Sequence, residues 1–176
     1  MNLKLKRTPG IYVVGFMASG KSTVGRHLAR RMGWSFFDID EEIESAEATT
    51  IAEIFAQRGE LEFRRIEAAI IRQHLGWIER GRPAVLALGG GAFVEESNRL
   101  MLADNGITVW LDCPFHVVKL RVAESSHRPL AQDPEKFAAL YESRREAYGA
   151  ADVRIPVESD DPEVTVDTIV RHPKLR

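Results

Sequence analysis

The chain has 176 residues, 44% of them hydrophobic, so it can bury a core without disulfides, and we expect residues 1–176 to form a single domain. With 24 Lys plus Arg against 26 Asp plus Glu, the net charge of -2 gives no general attraction to nucleic acid or to an anionic membrane, and neither is expected as a partner. A lone cysteine, Cys113, excludes an intramolecular disulfide, and no run approaches the roughly 20 apolar residues of a membrane helix. We therefore expect a cytoplasmic protein. We also expect a monomer.

Short apolar runs alternate with helical patterns along the chain, which is the order expected for a parallel sheet covered by helices. The five predicted strands are residues 11–15, 34–38, 84–88, 108–112 and 152–156. Between the first two, Val24, Leu28 and Met32 recur at i, i+4 and i+8 and predict a helix that ends at Gly33. A second, longer helix is predicted over about residues 60–80. The sequence therefore indicates an α/β fold.

Residues 124–135, ESSHRPLAQDPE, are polar and contain two prolines. This composition is typical of a lid, and a helical stretch over about residues 134–147 follows it. Arg128 lies within the predicted lid, where its guanidinium could swing onto a phosphate that is being transferred.

Residues 15–23, GFMASGKST, follow the first predicted strand and open the first predicted helix. They match the Walker A pattern G-x-x-x-x-G-K-S/T in the structural context that the pattern requires. The backbone N–H groups of such a loop surround a nucleotide phosphate, while its lysine reaches the β- and γ-phosphates and its serine binds Mg²⁺. The alternative is a plain glycine turn before a helix. The loop residues expected to contact ATP are Gly15, Ala18, Ser19, Gly20, Lys21, Ser22 and Thr23.

Two carboxylates, Asp38 and Asp40, end the second predicted strand in the run FFDIDEEIE. Residues i and i+2 of an extended chain project to the same side, so both could face the crevice at the carboxyl end of the sheet. One could hold Mg²⁺ through water, and the other could accept the proton of an acceptor hydroxyl. The alternative is that Asp40 only caps the helix begun by EEIE.

The run RGELEFRRIEAA, residues 58–69, contains Arg64 and Glu67 at i and i+3. If both lean into the crevice, Arg64 can clamp a substrate carboxylate with two parallel hydrogen bonds. The alternative is a surface helix in which Glu60 and Arg64 form an i, i+4 pair.

Three consecutive glycines, Gly89, Gly90 and Gly91, directly follow the third predicted strand in LALGGGAF. Bare backbone at that point could approach a small ligand or the γ-phosphate closely. The alternative is a tight turn between strand and loop.

Taken together and in order, GFMASGKST, FFDIDEEIE, GELEFRRIE, LGGGA, RPL and RREAYGAAD resemble the shikimate kinase family across about residues 10–156. The resemblance implies ATP-dependent phosphorylation of the 3-hydroxyl of shikimate, a step in aromatic amino acid biosynthesis. It also implies a P-loop kinase domain like that of nucleoside monophosphate kinases. Such a domain has a five-stranded parallel sheet in the order 2-3-1-4-5, helices on both faces and a lid.

The same resemblance implies roles for individual residues. Lys21 and Ser22 match the phosphate and magnesium positions, and Asp38 matches the carboxylate that holds magnesium through water. Asp40 matches the carboxylate that contacts the acceptor hydroxyls, and Arg128 the lid arginine that reaches ATP phosphate. Catalysis is thereby assigned to Asp40, Lys21 and Arg128.

Other positions match residues that bind the acceptor and the adenine. Arg64, Gly90 and Arg144 match shikimate-binding positions, and the two arginines are expected to bind its carboxylate. Arg121 and Pro162 fall near positions that flank adenine. The further expected acceptor contacts are Glu67, Gly89 and Gly91.

Two stretches depart from the family pattern. Ala18 stands where the loop usually has a glycine, and the residues after Tyr148 differ from the bulky residue and acid that commonly follow this tyrosine.

Two other functions are considered. One is a kinase for another small metabolite, such as gluconate, against which the runs FDID and FRRIE argue. The other is a nucleotide-binding regulatory domain without catalysis, against which the intact Lys21, Asp40 and Arg128 argue.

Overall fold

The computed structural model describes residues 10–125 and 133–175. The strands are β1 (Gly10–Val14), β2 (Ser35–Asp38), β3 (Ala84–Ala87), β4 (Gly106–Asp112) and β5 (Val153–Pro156). The α-helices are α1 (Lys21–Met32), α2 (Ile39–Glu47), α3 (Ile51–Glu79), α4 (Glu96–Ala103), α5 (Phe115–Glu124), α6 (Pro134–Tyr148) and α7 (Pro162–Arg171). A short 3-10 helix, Pro173–Leu175, ends the described chain.

The strands form a parallel sheet in the order β2-β3-β1-β4-β5, which confirms the predicted fold class. Every residue of β1 and β3 is buried, and such strands need cover on both faces of the sheet, which the helices provide. Because parallel strands end at one edge, the loops after β1, β2 and β3 open onto the same crevice.

Most predicted elements lie close to their observed positions. Each predicted strand agrees with the observed one to within two residues. Helix α1 ends as predicted at Gly33, whose left-handed backbone (φ 67) lets its N–H reach carbonyls of the last turn. Helix α6 begins at Pro134, after the Asp133 side chain caps it, and runs one residue beyond the predicted end, to Tyr148.

The long helix α3 begins well before its predicted start at residue 60. Thr50 and Glu53 form a capping box, in which each side chain accepts a hydrogen bond from the other residue's N–H. Gly59 then interrupts the helix with φ 81 and ψ 171. The apolar spacing predicted only the part after this break, because the break shifts the helical phase between the two parts.

Residues 126–132, which include Arg128 and most of the predicted lid, lie outside the described residues. The lid and the role of Arg128 therefore stay sequence predictions. In the parts of the chain that the structure does describe, no helix is both long enough and apolar enough to cross a membrane.

Candidate active site

The loop between β1 and α1 wraps its backbone around a cavity at the carboxyl edge of the sheet. Gly20 takes a left-handed conformation (φ 94) directly before α1 and offers no side chain to cap the first N–H groups of the helix. These donors and the positive end of the helix dipole are therefore available to an anion. Ala18 is also left-handed (φ 59), a conformation that costs a non-glycine residue roughly 1 kcal/mol.

This first cavity has a volume of about 590 Å³ and is lined by most of the residues predicted to contact ATP. Those on its wall are Ala18, Ser19, Gly20, Lys21, Ser22, Thr23, Arg121 and Pro162. Gly15 is not on the wall: a Cβ there would lie 2.8 Å from Leu111 O, so this glycine allows the loop to pack against β4. Arg128 is outside the described residues.

Arg121 connects the phosphate loop with the segment after β5. Its guanidinium donates to the Ala18 carbonyl at 3.0 Å and to Asp160 Oδ1 at 2.8 Å. The same side of the first cavity includes Ser159 and Thr165, which no sequence motif indicated. Only the position of β5 at the edge of the sheet, beside β4, brings this segment to the cavity.

Asp38 and Asp40 both reach the first cavity, although not as the sequence suggested. Asp38 is the N-cap of α2, and its Oδ1 accepts from Asp40 N at 3.0 Å. The interpretation of Asp40 as a helix cap is therefore wrong. The placement of both carboxylates on one extended strand is also wrong, because Asp40 belongs to the first turn of α2. The other Asp38 oxygen accepts from the Ser22 hydroxyl, so the two predicted magnesium residues are in contact.

The Asp40 carboxyl lies where the first cavity meets a second one. Burial raises its pKa, and the nearby Asp38 carboxylate raises it further, whereas Lys21 and Arg64 act in the opposite direction. A raised pKa brings a carboxylate closer to the range in which it exchanges protons at neutral pH.

The second cavity, about 210 Å³, brings together all the residues predicted to bind the acceptor. They are Asp40, Arg64, Glu67, Gly89, Gly90, Gly91 and Arg144. Apolar side chains from α3, among them Ile51, Phe55 and Phe63, line the same space and were not predicted. A cavity with apolar walls and a few convergent polar groups is typical of a site for a small molecule.

Close approach explains the three glycines after β3. A Cβ on Gly89 would lie 2.6 Å from Asp40 Oδ1, and one on Gly90 would lie 2.9 Å from Arg144 Nη1. A Cβ on Gly91 would overlap the Arg64 guanidinium. None of the three has the positive φ that a glycine-dependent turn requires. These glycines therefore make room for the polar side chains of the second cavity.

Arg64 pairs with Glu67, with Nη1 2.8 Å from Oε1, while its contact with the exposed Glu60 is longer, at 3.5 Å. The Arg64 side chain is 18% exposed and that of Glu67 is 1% exposed, so the surface-helix alternative does not describe this residue pair. Arg64 Nε and Glu67 Oε2 are buried without a hydrogen-bond partner among the described residues. A polar ligand can satisfy both. Burial raises the pKa of Glu67 to about 7, and Arg64 partly opposes this rise.

The chain is similar to known proteins in both sequence and structure. Residues 17–173 match the family model described as Shikimate kinase. A shikimate kinase of Persephonella marina is 40% identical over 161 residues, which cover 91% of this chain and 96% of that relative. One of Cereibacter sphaeroides is 43% identical, covering 86% of this chain and 75% of the relative. A solved shikimate kinase from Acinetobacter baumannii, in complex with shikimate, has a TM-score of 0.84 at 35% identity, covering 93% of this chain and 91% of that one.

Proposed function

The chain belongs to the shikimate kinase family, and on that premise we propose that its two cavities transfer the γ-phosphate of ATP to the 3-hydroxyl of shikimate. The observation that carries this function is the position of Asp40, which lines both cavities. On one side of it is the phosphate loop, and on the other are the arginines of the second cavity. The product, shikimate 3-phosphate, is an intermediate in aromatic amino acid biosynthesis.

The first cavity is proposed to bind ATP mainly through backbone donors. The N–H groups at the start of α1 and of the preceding loop surround the phosphates, where the helix dipole favours negative charge. Lys21 Nζ, 3.0 Å from Phe16 O, lies beside the loop, within reach of the β- and γ-phosphates. Arg121 and Pro162 line the same cavity and are proposed to flank the adenine.

We infer that Mg²⁺ accompanies the nucleotide. The Ser22 hydroxyl and the Asp38 carboxylate, hydrogen-bonded to each other, are oxygen donors. Mg²⁺ in kinase sites uses one or two such protein oxygens together with water and substrate phosphates, so the residues fit this ion. When bound, it supplies charge neutralisation at the β- and γ-phosphates.

The second cavity is proposed to hold shikimate by its carboxylate. Arg64 and Arg144 approach the cavity from α3 and α6 and can grip one carboxylate from two directions. The apolar side chains of α3 then contact the ring, and Asp40 is left facing the ring hydroxyls.

Transfer follows from this arrangement without a covalent enzyme intermediate. The 3-hydroxyl oxygen attacks the γ-phosphorus, the bond between that phosphorus and the β–γ bridging oxygen breaks, and ADP leaves. Asp40 accepts the hydroxyl proton, a role favoured by the burial that raises its pKa. Lys21 stabilises negative charge on the phosphoryl group as it moves, and Arg128 is proposed to add a second positive charge.

We also propose that residues 1–176 act as one domain and as a cytoplasmic monomer. The five strands within residues 10–125 and 133–175 join a single sheet, ATP is supplied in the cytoplasm, and the lone Cys113 is buried as a free thiol. The net charge of -2 supports small-molecule substrates rather than nucleic acid or membrane as partners.

Measurement of ADP formation with and without an acceptor tests this function. With ATP and Mg²⁺ alone we expect slow turnover, because water in the second cavity is poorly positioned, and addition of shikimate should raise the rate by about 10² or more. Gluconate at the same concentration should not. Equal rates with and without shikimate, or a preference for gluconate, would contradict the proposal.

A further inference from the structure

Tyr148 is a buried tyrosine on the wall between α6 and the glycine loop, and none of the roles described above uses it. It is 1% exposed, and its ring lies 6.0 Å from that of Trp110. Its hydroxyl donates a hydrogen bond of 2.5 Å to the carbonyl oxygen of Gly90, which lines both cavities. Because Tyr148 follows Arg144 by four residues on α6, the two side chains share a face of that helix.

The Arg144 guanidinium lies near the same hydroxyl, because both groups are within 4 Å of the point that a Cβ on Gly90 would occupy. Burial raises the pKa of Tyr148 to about 12, and Arg144 offsets part of this rise. The phenol is therefore neutral at physiological pH, so it donates to Gly90 O and keeps its lone pairs for Arg144. A Cβ on Gly90 would lie 2.9 Å from Arg144 Nη1 and 3.8 Å from Tyr148 Oη, which shows how closely these three residues meet.

Helix α6 has other attachments to the sheet that do not involve Tyr148. The Tyr141 hydroxyl donates to Cys113 O at 2.7 Å, and Arg145 pairs with the buried Asp112 at the end of β4. Arg145 also stacks on Trp110, with its guanidinium carbon 5.1 Å from the ring centroid. The position of the helix is thus secured independently, and the Tyr148 hydroxyl is left with a local task.

We propose that Tyr148 is a positioning residue for acceptor recognition, whose hydroxyl joins the Gly90 carbonyl to Arg144 and so holds the arginine at the orientation that meets a substrate carboxylate. This inference rests on the proposed function of the second cavity. The Arg144 guanidinium also lies over the Phe16 ring, with its carbon 5.7 Å from the ring centroid. That contact does not stop the guanidinium from turning in the plane parallel to the ring. In this proposal a hydrogen bond from the guanidinium to the hydroxyl fixes that rotation.

Replacement of Tyr148 by Phe removes the hydroxyl and keeps the buried ring. The Tyr148→Phe variant should raise the KM for shikimate by about 10-fold and change kcat and the KM for ATP by less than about 3-fold. Tyr141→Phe is the matched control, since Tyr141 is also a buried tyrosine of α6 and its hydroxyl also donates to a backbone carbonyl, that of Cys113. It should lower Tm to a similar extent and leave the KM for shikimate unchanged. If both variants lose Tm and affinity alike, Tyr148 is structural and the proposal fails.

A double-mutant cycle separates action through Arg144 from direct effects. In an Arg144→Ala background, Tyr148→Phe should have no further effect on kcat/KM for shikimate. A further 10-fold loss in that background would overturn the proposal.

A second variant keeps the test available if Tyr148→Phe does not fold. Gly90→Ala displaces the Arg144 guanidinium without altering the tyrosine, and it should also raise the KM for shikimate. Unchanged affinity in Gly90→Ala would contradict the importance of this contact.

The failure of this inference differs from the failure of the proposed function. If shikimate stimulates the wild-type protein and Tyr148→Phe has the same KM for shikimate, only the role of Tyr148 is refuted. Wild-type protein with no response to shikimate refutes the proposed function itself.

Discussion

The two cavities of the site are built in different ways. The first draws most of its predicted phosphate contacts from the single run of residues 15–23, and backbone N–H groups with one helix N-terminus form its binding surface. The second is formed by side chains of α2, α3 and α6 together with the backbone of the glycine loop after β3. A local sequence can therefore specify the phosphate loop of the first cavity, whereas only the packed fold creates the second cavity.

The cavities also differ in what burial does to their charges. In the second cavity, Glu67 and Asp40 are buried near each other, and burial raises the pKa of both. Arg64 opposes these rises, so this cavity holds a partly neutralised cluster that a ligand carboxylate must enter. Phosphate binding in the first cavity depends less on such a balance, because most of its proposed donors are uncharged N–H groups and Lys21 adds a positive charge to them. Substitutions in the two cavities should consequently affect different kinetic constants.

The largest effect is expected in the first cavity, at Lys21. Lys21→Met should lower kcat by about 10³ or more, because positive charge at the transferring phosphoryl group is lost. Nucleotide affinity, measured by calorimetry, should fall much less, since the backbone donors remain. The exposed Lys136, replaced by Met, is a control for loss of a lysine. Turnover within tenfold of wild type would show that Lys21 does not act on the transition state.

The next effect concerns Asp40, the residue shared by both cavities. Asp40→Asn keeps the shape of the side chain but removes the proton acceptor, and it should lower kcat by about 10² with little change in ATP affinity. Glu41→Gln, in the same helical turn but exposed and paired with Arg26, should behave like wild type. Near-normal turnover of purified Asp40→Asn would remove Asp40 from the proton transfer.

A loss confined to the second cavity is expected from Arg64→Ala. The KM for shikimate should rise by about 10- to 100-fold while ATP binding is retained, because a charged bidentate contact is removed. Arg65→Ala is the neighbouring control, since Arg65 is 76% exposed. The amide of shikimate should be a poor substrate of the wild-type protein. Its KM should differ little between wild type and Arg64→Ala, because it has no carboxylate for Arg64 to bind. Equal use of acid and amide by wild type would rule out the carboxylate clamp.

Buried Glu67 should make stability depend on pH. Its pKa is raised from 4.5 to about 7, so between these values the folded protein retains a proton that the unfolded chain has lost. The stabilisation linked to this proton is complete below about pH 4.5 and is lost as the pH rises to about 7, by up to about 3 kcal/mol. Glu67→Gln should flatten this part of the curve in urea unfolding at pH 4.5, 6 and 8. The same slope in both proteins would contradict the raised pKa.

The smallest effect is expected at Ala18, in the first cavity. Its left-handed backbone (φ 59) favours glycine, so Ala18→Gly should raise the free energy of unfolding by about 0.5 to 1 kcal/mol. A glycine at the exposed position Ala103, at the end of α4, should instead lower it. A destabilised Ala18→Gly protein would show that its backbone is not strained.

Sequence alone predicted most of the fold and the phosphate loop of the first cavity, because both depend on local signals. Alternating apolar runs located the strands, and the spacing of Gly20, Lys21 and Ser22 after β1 located the phosphate loop. The spacing of Thr50 and Glu53 is also typical of a capping box, but the apolar periodicity predicted only the later part of α3.

The details that sequence did not reveal depend on contacts between distant segments. The sequence offered Asp40 as the cap of α2, but in the fold Asp38 caps the helix and also contacts Ser22. Ser159 and Thr165 reach the first cavity only because β5 pairs with β4. The part played by the glycines after β3 required knowledge of which side chains pack against them.

The fate of the γ-phosphate is the most direct test of the link between the two cavities. Phosphorus NMR of the purified protein with ATP, Mg²⁺ and shikimate should show the γ-phosphate signal replaced by one phosphomonoester signal, coupled to the proton on carbon 3 of the ring. Loss of the γ-phosphate signal to inorganic phosphate alone, or no loss at all, would contradict transfer between the cavities.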